Sequence, residues 1–271
     1  MSAQQHLARF SVREFARTAQ GSHREGLDLA AYAATPLPAE TVQVVGLLAR
    51  LERGAMAYLR SVLVTPTHND ARVTAFLVTW AYEKYWVADA LELIVAAHPD
   101  VAPDPTPGVP ALRRAWHTLA ERIEPITESV ISNLIGDDVV AVHTAAGAID
   151  EWLTQDAYER LAGASTHKTF TATLGRLLTV KRRHGEFFAG EARERLAGSA
   201  GARRLARRRL RRVWPLGSET EPPALLARLL GDVVPASDLA AIDVRVDTLP
   251  GLEGLNPATR SAARTWKAAA R

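Results

Sequence analysis

Four long stretches of this chain repeat apolar residues at helical spacing, and near the middle of each the apolar stripe is broken by an ionisable side chain. In the first, Val45, Leu48, Leu51, Ala55, Leu59 and Val62 share a face with Glu52. In the second, Phe76, Trp80, Val87, Ala90 and Ile94 surround Glu83. In the third, Val140, Thr144, Gly147, Thr154, Tyr158 and Leu161 surround Glu151. In the fourth, Phe170, Leu174, Leu177 and Phe188 flank Lys181 and His184. A charge moved out of water costs several kcal/mol unless it meets an opposite charge or takes up a proton. One such residue reads as a position at the edge of a face. Four helices in agreement predict a shared polar cluster.

The segments between these stripes carry helix-breaking chemistry. Thr35-Pro36-Leu37-Pro38 precedes a helix expected over Glu40–Val64, and Thr65–Asp70 ends it, with Asn69 or Asp70 as N-cap of the next helix, which runs to about Ala97. Five prolines between Pro99 and Pro110 exclude a continuous helix there. A helical stretch over Ala111–Ile135, bent near Pro125, follows that crossing. Gly136-Asp137-Asp138 introduces the third helix, Val139–Leu161, and Gly163–Thr166 turns the chain into the fourth, Lys168–Leu196. The pattern is two helices, a long crossover and two more. An N-terminal amphipathic helix, Ala3–Ala19, is expected ahead of them, with Leu7, Phe10, Phe15 and Ala19 on one side. The expected organisation is all-α: lead-in over 1–39, helical bundle over 40–198, and a basic helix with a tail of short helices over 199–271.

Apolar residues make up 47% and charged residues 23%, which suits a packed core and excludes a disordered chain. Without cysteine there is no disulfide, thiolate metal site or thiol nucleophile. The N-terminal residues lack the continuous apolar core of a signal peptide, and no apolar run approaches the ~20 residues of a membrane span. The expected location is the cytoplasm. The net charge of +3 is a local effect, because Ala202–Arg212 alone holds seven arginines and the rest of the chain sums to −4.

Glu151-Trp-Leu-Thr-Gln-Asp-Ala-Tyr158, followed by Lys181-Arg-Arg-His184, resembles the second helix pair of ferritin-like di-iron proteins. Leu51-Glu52-Arg-Gly-Ala-Met-Ala-Tyr58 and Tyr82-Glu83-Lys-Tyr-Trp86 resemble the first pair. The resemblance covers about Glu40 to Leu196 and implies a ferritin-like four-helix bundle with one long crossover. In that family each half contributes one Glu from one helix and a Glu-x-x-His pair from the next. Carried over by position, Glu52, Glu83, Glu151 and His184 match as metal ligands or their vestiges. Trp86 stands where a His is expected and Lys181 where a Glu is expected, so both alter the site. Indole offers no lone pair to a metal, and an ammonium repels one.

These departures argue against a dinuclear centre and leave two outcomes. One is a metal-free protein acting as a binding or scaffold module, with Trp86 and Lys181 filling the old site. Divergent relatives of the ribonucleotide reductase radical subunit resemble this, with Lys in a ligand position. The other is an oxidoreductase holding one Fe or Mn ion at Glu83, Glu151 and His184. Three carboxylates and Lys181 sum to −2, which either one divalent ion or protonation would relieve.

Other features have plainer readings. His143 reads as a satisfied helix histidine, and His68, His98, His117 and His167, in or near turns, as surface groups. Trp80, Trp86, Tyr82 and Tyr85 read as packing in preference to electron transfer. Asp243 and Asp247 read as capping or arginine-pairing groups. In the basic helix, Ala202, Leu205, Ala206, Leu210 and Val213 form an apolar stripe, leaving Arg203, Arg204, Arg207, Arg208, Arg211 and Arg212 as a basic surface. That surface either pairs with acidic neighbours as the helix docks or meets an anionic membrane or nucleic acid. A homodimer is left open, and no substrate can be read from the sequence.

Overall fold

The computed structural model describes residues 10–101, 136–211 and 221–270. Every regular element among them is helical. The proline-rich crossing beyond Val101 and the helix expected over Ala111–Ile135 lie outside the described residues, as do Leu7, His117, Arg212 and Val213.

The chain enters through α1 (Val12–Arg17) and α2 (Leu29–Ala34), capped by the side chains of Ser11 and Asp28. The described part of the N-terminal helix is thus one and a half turns, shorter than the apolar spacing suggests. Phe15 is its buried anchor, and Phe10 lies ahead of the helix. Two long helices follow, α3 (Ala39–Leu63) and α4 (Ala71–Ala96), joined by a 3-10 turn over Pro66–Asn69. Asp70 caps α4 by accepting from Val73 N at 2.9 Å. Past residue 136 come α5 (Asp138–Ala164) and α6 (Lys168–Gly198), separated by three residues. The His167 side chain caps α6, accepting from Phe170 N.

These four helices form two hairpins, α3 with α4 and α5 with α6, and the hairpins face each other. Aliphatic residues from both hairpins and from the tail make one continuous core. Close approach of α5 and α6 depends on small residues. A Cβ at Gly147 would lie 2.6 Å from the Phe188 ring, and one at Gly185 would lie 2.7 Å from Gln155 Nε2. Most of α5 is buried, and α4 is buried on the side that faces α3 and the second hairpin, with Val78, Tyr82 and Tyr85 exposed on the other.

The basic helix α7 (Ala200–Arg209) starts at Ser199, whose hydroxyl donates to Asp138 Oδ1 at 2.7 Å. It packs on α5 and α6. The tail then runs through α8 (Pro223–Arg228), a π-turn over Leu229–Val233, α9 (Ala236–Asp247) and α10 (Pro257–Ala269). Asp243 caps α10, accepting from Ala258 N at 2.8 Å and Thr259 N at 3.1 Å, and Asp247 accepts from Gly254 N. No helix among the described residues is long and apolar enough to cross a membrane.

Candidate functional site

The ionisable residues of the four apolar faces converge midway along the helices. Glu52, Glu83, Glu151, Lys181 and His184 are each at most 1% exposed. Two further buried groups join them, Lys84 and Asp150, at 2% and 5% exposure.

Lys181 Nζ sits 2.7 Å from Glu52 Oε1 and 2.8 Å from Glu151 Oε2, bridging α3 and α5 from α6. Lys84 Nζ makes a second bridge, 2.5 Å from Glu52 Oε2 and 3.5 Å from Glu151 Oε1, with Asp150 Oδ2 at 3.7 Å. Two ammonium groups are thus held between the same two carboxylates. Tyr158 Oη donates to Glu52 Oε1 at 2.9 Å, and Trp80 Nε1 donates to Glu151 Oε1 at 2.8 Å. Each ammonium also lies 5.5 Å or less from an aromatic centroid, Lys181 at Tyr158 and Lys84 at Trp80.

Glu83 occupies the other end of the cluster. Its Oε2 is 2.7 Å from His184 Nε2, and its Oε1 accepts from Gln20 N at 2.7 Å. His184 Nδ1 lies 3.5 Å from Glu151 Oε1, so both ring nitrogens face carboxylate oxygens. The lead-in chain closes this end. Phe15 stacks on Phe76 at 4.9 Å and meets the His184 ring edge-on at 5.9 Å. Arg183 lies over the Phe15 ring and donates to Phe15 O and Thr18 O.

The electrostatics follow from this packing. Burial pushes the carboxyls of Glu52 and Glu151 upward, but Lys181 and Lys84 together outweigh it and leave both below the usual range, Glu151 well below. Burial opposes the charge on Lys84, and Glu151, Glu52 and Asp150 outweigh it, so this ammonium is held more firmly than a free one. Asp150 is pushed up to about 6, burial prevailing over the attraction of Lys84. Tyr158 is raised well above its ordinary value by burial and the adjoining Glu52 carboxylate. With Lys84 included, three glutamates and two ammonium groups sum to −1, and Asp150 adds a further negative charge only where it is ionised.

Trp86 is not brought into this cluster. Its ring contacts are Tyr85 at 5.2 Å and Tyr82 at 6.3 Å, both exposed side chains. At about 100° per residue, Trp86 and Lys84 point about 160° apart around α4. Lys84 and Asp150 are thus the cluster members that the apolar stripes did not single out; for Lys84 the spacing was informative. Its signal was present: it lies four residues after Trp80 and three before Val87, on the face already assigned to the core. The Glu-x-x-His spacing falls on position 86 instead, on the opposite side of α4.

Among the weaker features, His143 is hydrogen-bonded to the Thr67 hydroxyl at 2.9 Å and held down to about 4 by burial and by Arg209. His98 is a correction: it is buried, accepts from Leu37 N through Nε2 and meets Ile94 O through Nδ1, tying the turn before α3 to the end of α4. His167 stacks on the buried Tyr32 ring at 4.7 Å. Trp80 packs as expected and also holds Glu151.

No protein-family model matches the chain, and comparisons with curated proteins and with solved structures gave no match either.

Proposed function

We propose that this protein is a divergent ferritin-like four-helix bundle in which two lysines take the place of the metal pair, and that it acts as a metal-free binding or scaffold module. The observation that carries this reading is the double bridge: Lys84 and Lys181 both span Glu52 and Glu151. A di-iron centre places its cations between carboxylates from facing helices. Here that space is taken by two ammonium groups, and both carboxylates are engaged in several contacts. A cation pair would have to displace both lysines into an apolar core, so the donor set does not fit a dinuclear site. The two short-looped hairpins, with their connection at 97–137, support the ferritin-like order of helices.

The juxtaposition of Glu83, His184 and Glu151 favours a second reading, an oxidoreductase with a single Fe or Mn ion. It is the weaker one, because Glu151 already holds Trp80 and Lys181, and Glu83 is already engaged with His184 and with Gln20 N.

Elemental analysis of protein made in cells supplied with iron and manganese separates the two. The expected result is far less than one metal per chain in the wild type, with metal gained in a Lys84→Gln, Lys181→Glu double variant. Stoichiometric metal in the wild type that is lost in His184→Ala would overturn the metal-free reading in favour of the single-ion enzyme.

A further inference from the structure

Once α7 is docked, the arginines between 202 and 212 divide into two sets. Arg203 and Arg207 turn back onto the protein. Arg203 Nη1 donates to Leu196 O at 2.8 Å and Ala197 O at 3.2 Å, satisfying carbonyls at the end of α6. Arg207 Nη1 donates to Gly251 O at 3.1 Å and Glu253 O at 2.9 Å, joining α7 to the tail. Arg209 is also engaged and acts on His143. Arg204, Arg208 and Arg211 are different. All three are exposed, and their side chains have no ion pair or hydrogen bond among the described residues. Arg204 and Arg208 stand one turn apart on one side of α7, and Arg211 follows in the turn just past its C-cap, Leu210.

We propose that this stripe of Arg204, Arg208 and Arg211 is a contact for the phosphate backbone of a nucleic acid. Arg204 and Arg208, about 6 Å apart along the helix axis, and Arg211 just beyond its end can each reach a different phosphate of a strand, and the planar fork of Arg suits phosphate oxygens. A membrane is the poorer partner. An amphipathic helix binds a bilayer by sinking its apolar face. In α7 that face is already used: Ala202, Ala206 and Leu210 are 1%, 0% and 2% exposed, packed inside the protein. None of the large exposed hydrophobic residues lies between 200 and 211. The remainder of the chain carries no net positive charge, so the contact is short and independent of sequence, with about three phosphates neutralised.

The test is fluorescence anisotropy of the full chain with a labelled duplex of random sequence, titrated at several salt concentrations, beside vesicles containing phosphatidylserine. The wild type is expected to bind the duplex with a log–log salt slope of about −2.7, from three phosphate contacts. The variant Arg204→Ala, Arg208→Ala, Arg211→Ala should lose at least about tenfold in affinity at low salt. A control with the same charge change, Arg13→Ala, Arg60→Ala, Lys168→Ala, should stay within about twofold. Both variants should melt with the wild type, since none of the six side chains makes a hydrogen bond or ion pair among the described residues. Three results would overturn the proposal: no duplex binding at low salt, an equal loss in the control, or vesicle binding that depends on the stripe while duplex binding does not.

Discussion

Lys181 and Glu52 lie 129 residues apart in sequence, yet Nζ and Oε1 meet at 2.7 Å with neither side chain reaching solvent. Such a pair is a poor source of net stability compared with apolar packing, because the desolvation of two ions offsets their attraction. Its removal one partner at a time is another matter. Lys181→Met leaves Glu52 and Glu151 facing each other with Lys84 alone between them, and is expected to destabilise the fold by about 3–5 kcal/mol. The double variant Lys181→Met, Glu52→Gln should recover part of that loss. Urea unfolding of both single variants and the double gives the coupling; strict additivity would mean the contact carries no energy.

Asp150 supplies a pH dependence with a definite sign. Its folded pKa is about 6, above the ordinary 3.8, because burial disfavours the carboxylate. The folded state therefore holds this proton more tightly than the unfolded state. The associated stability is present below about pH 4 and is lost as pH rises through 6. Asp150→Asn removes the dependence, so its stability relative to wild type should improve by about 1–3 kcal/mol between pH 4.5 and 7.5. Denaturant midpoints at the two pH values measure this. Glu52 and Glu151 act in the opposite direction, losing stabilisation only as pH falls below the usual carboxylate range.

Gly147 admits the Phe188 ring between α5 and α6. Gly147→Ala places a methyl 2.6 Å from that ring and should destabilise by about 1–3 kcal/mol, against the usual benefit of Ala over Gly in a helix. Adding Phe188→Leu should relieve the overlap. Thermal unfolding of the two variants distinguishes overpacking from a backbone effect, which the second substitution would leave unchanged.

Phe15 and Arg183 hold the lead-in chain over His184 and Glu83. Phe15→Ala should release this segment without unfolding the four long helices, since α1 contributes only one buried side chain. Amide hydrogen exchange should rise over residues 11–20, including the Gln20 amide bonded to Glu83, while the middle of α4 and α6 stays protected. Uniform loss of protection would show that the segment is integral to the core.

The sequence alone determined that the chain is helical, where its long helices begin and end to within a few residues, and which five ionisable residues lie on buried faces. These properties are local: helical period, proline and glycine positions, and cap residues such as Asp70 act over a turn or two. It left Asp243 and Asp247 as capping or arginine-pairing groups; the packing of α9 on α10 made Asp243 the acceptor at the start of α10, 15 residues on, while Asp247 accepts from Gly254 N in the intervening turn. Only the tertiary structure decided how those charges are paired. Lys84 and Trp86 sit two residues apart on one helix, and sequence spacing allows either to face the centre. The outcome depended on which side of α4 the α5–α6 hairpin covers, and burial on that side requires a charge that the carboxylates of α3 and α5 can share. The same holds for the arginines of the basic segment, alike in sequence: among the described ones, Arg204, Arg208 and Arg211 remained unspent because Arg203, Arg207 and Arg209 met the groups brought near by the packing of α7.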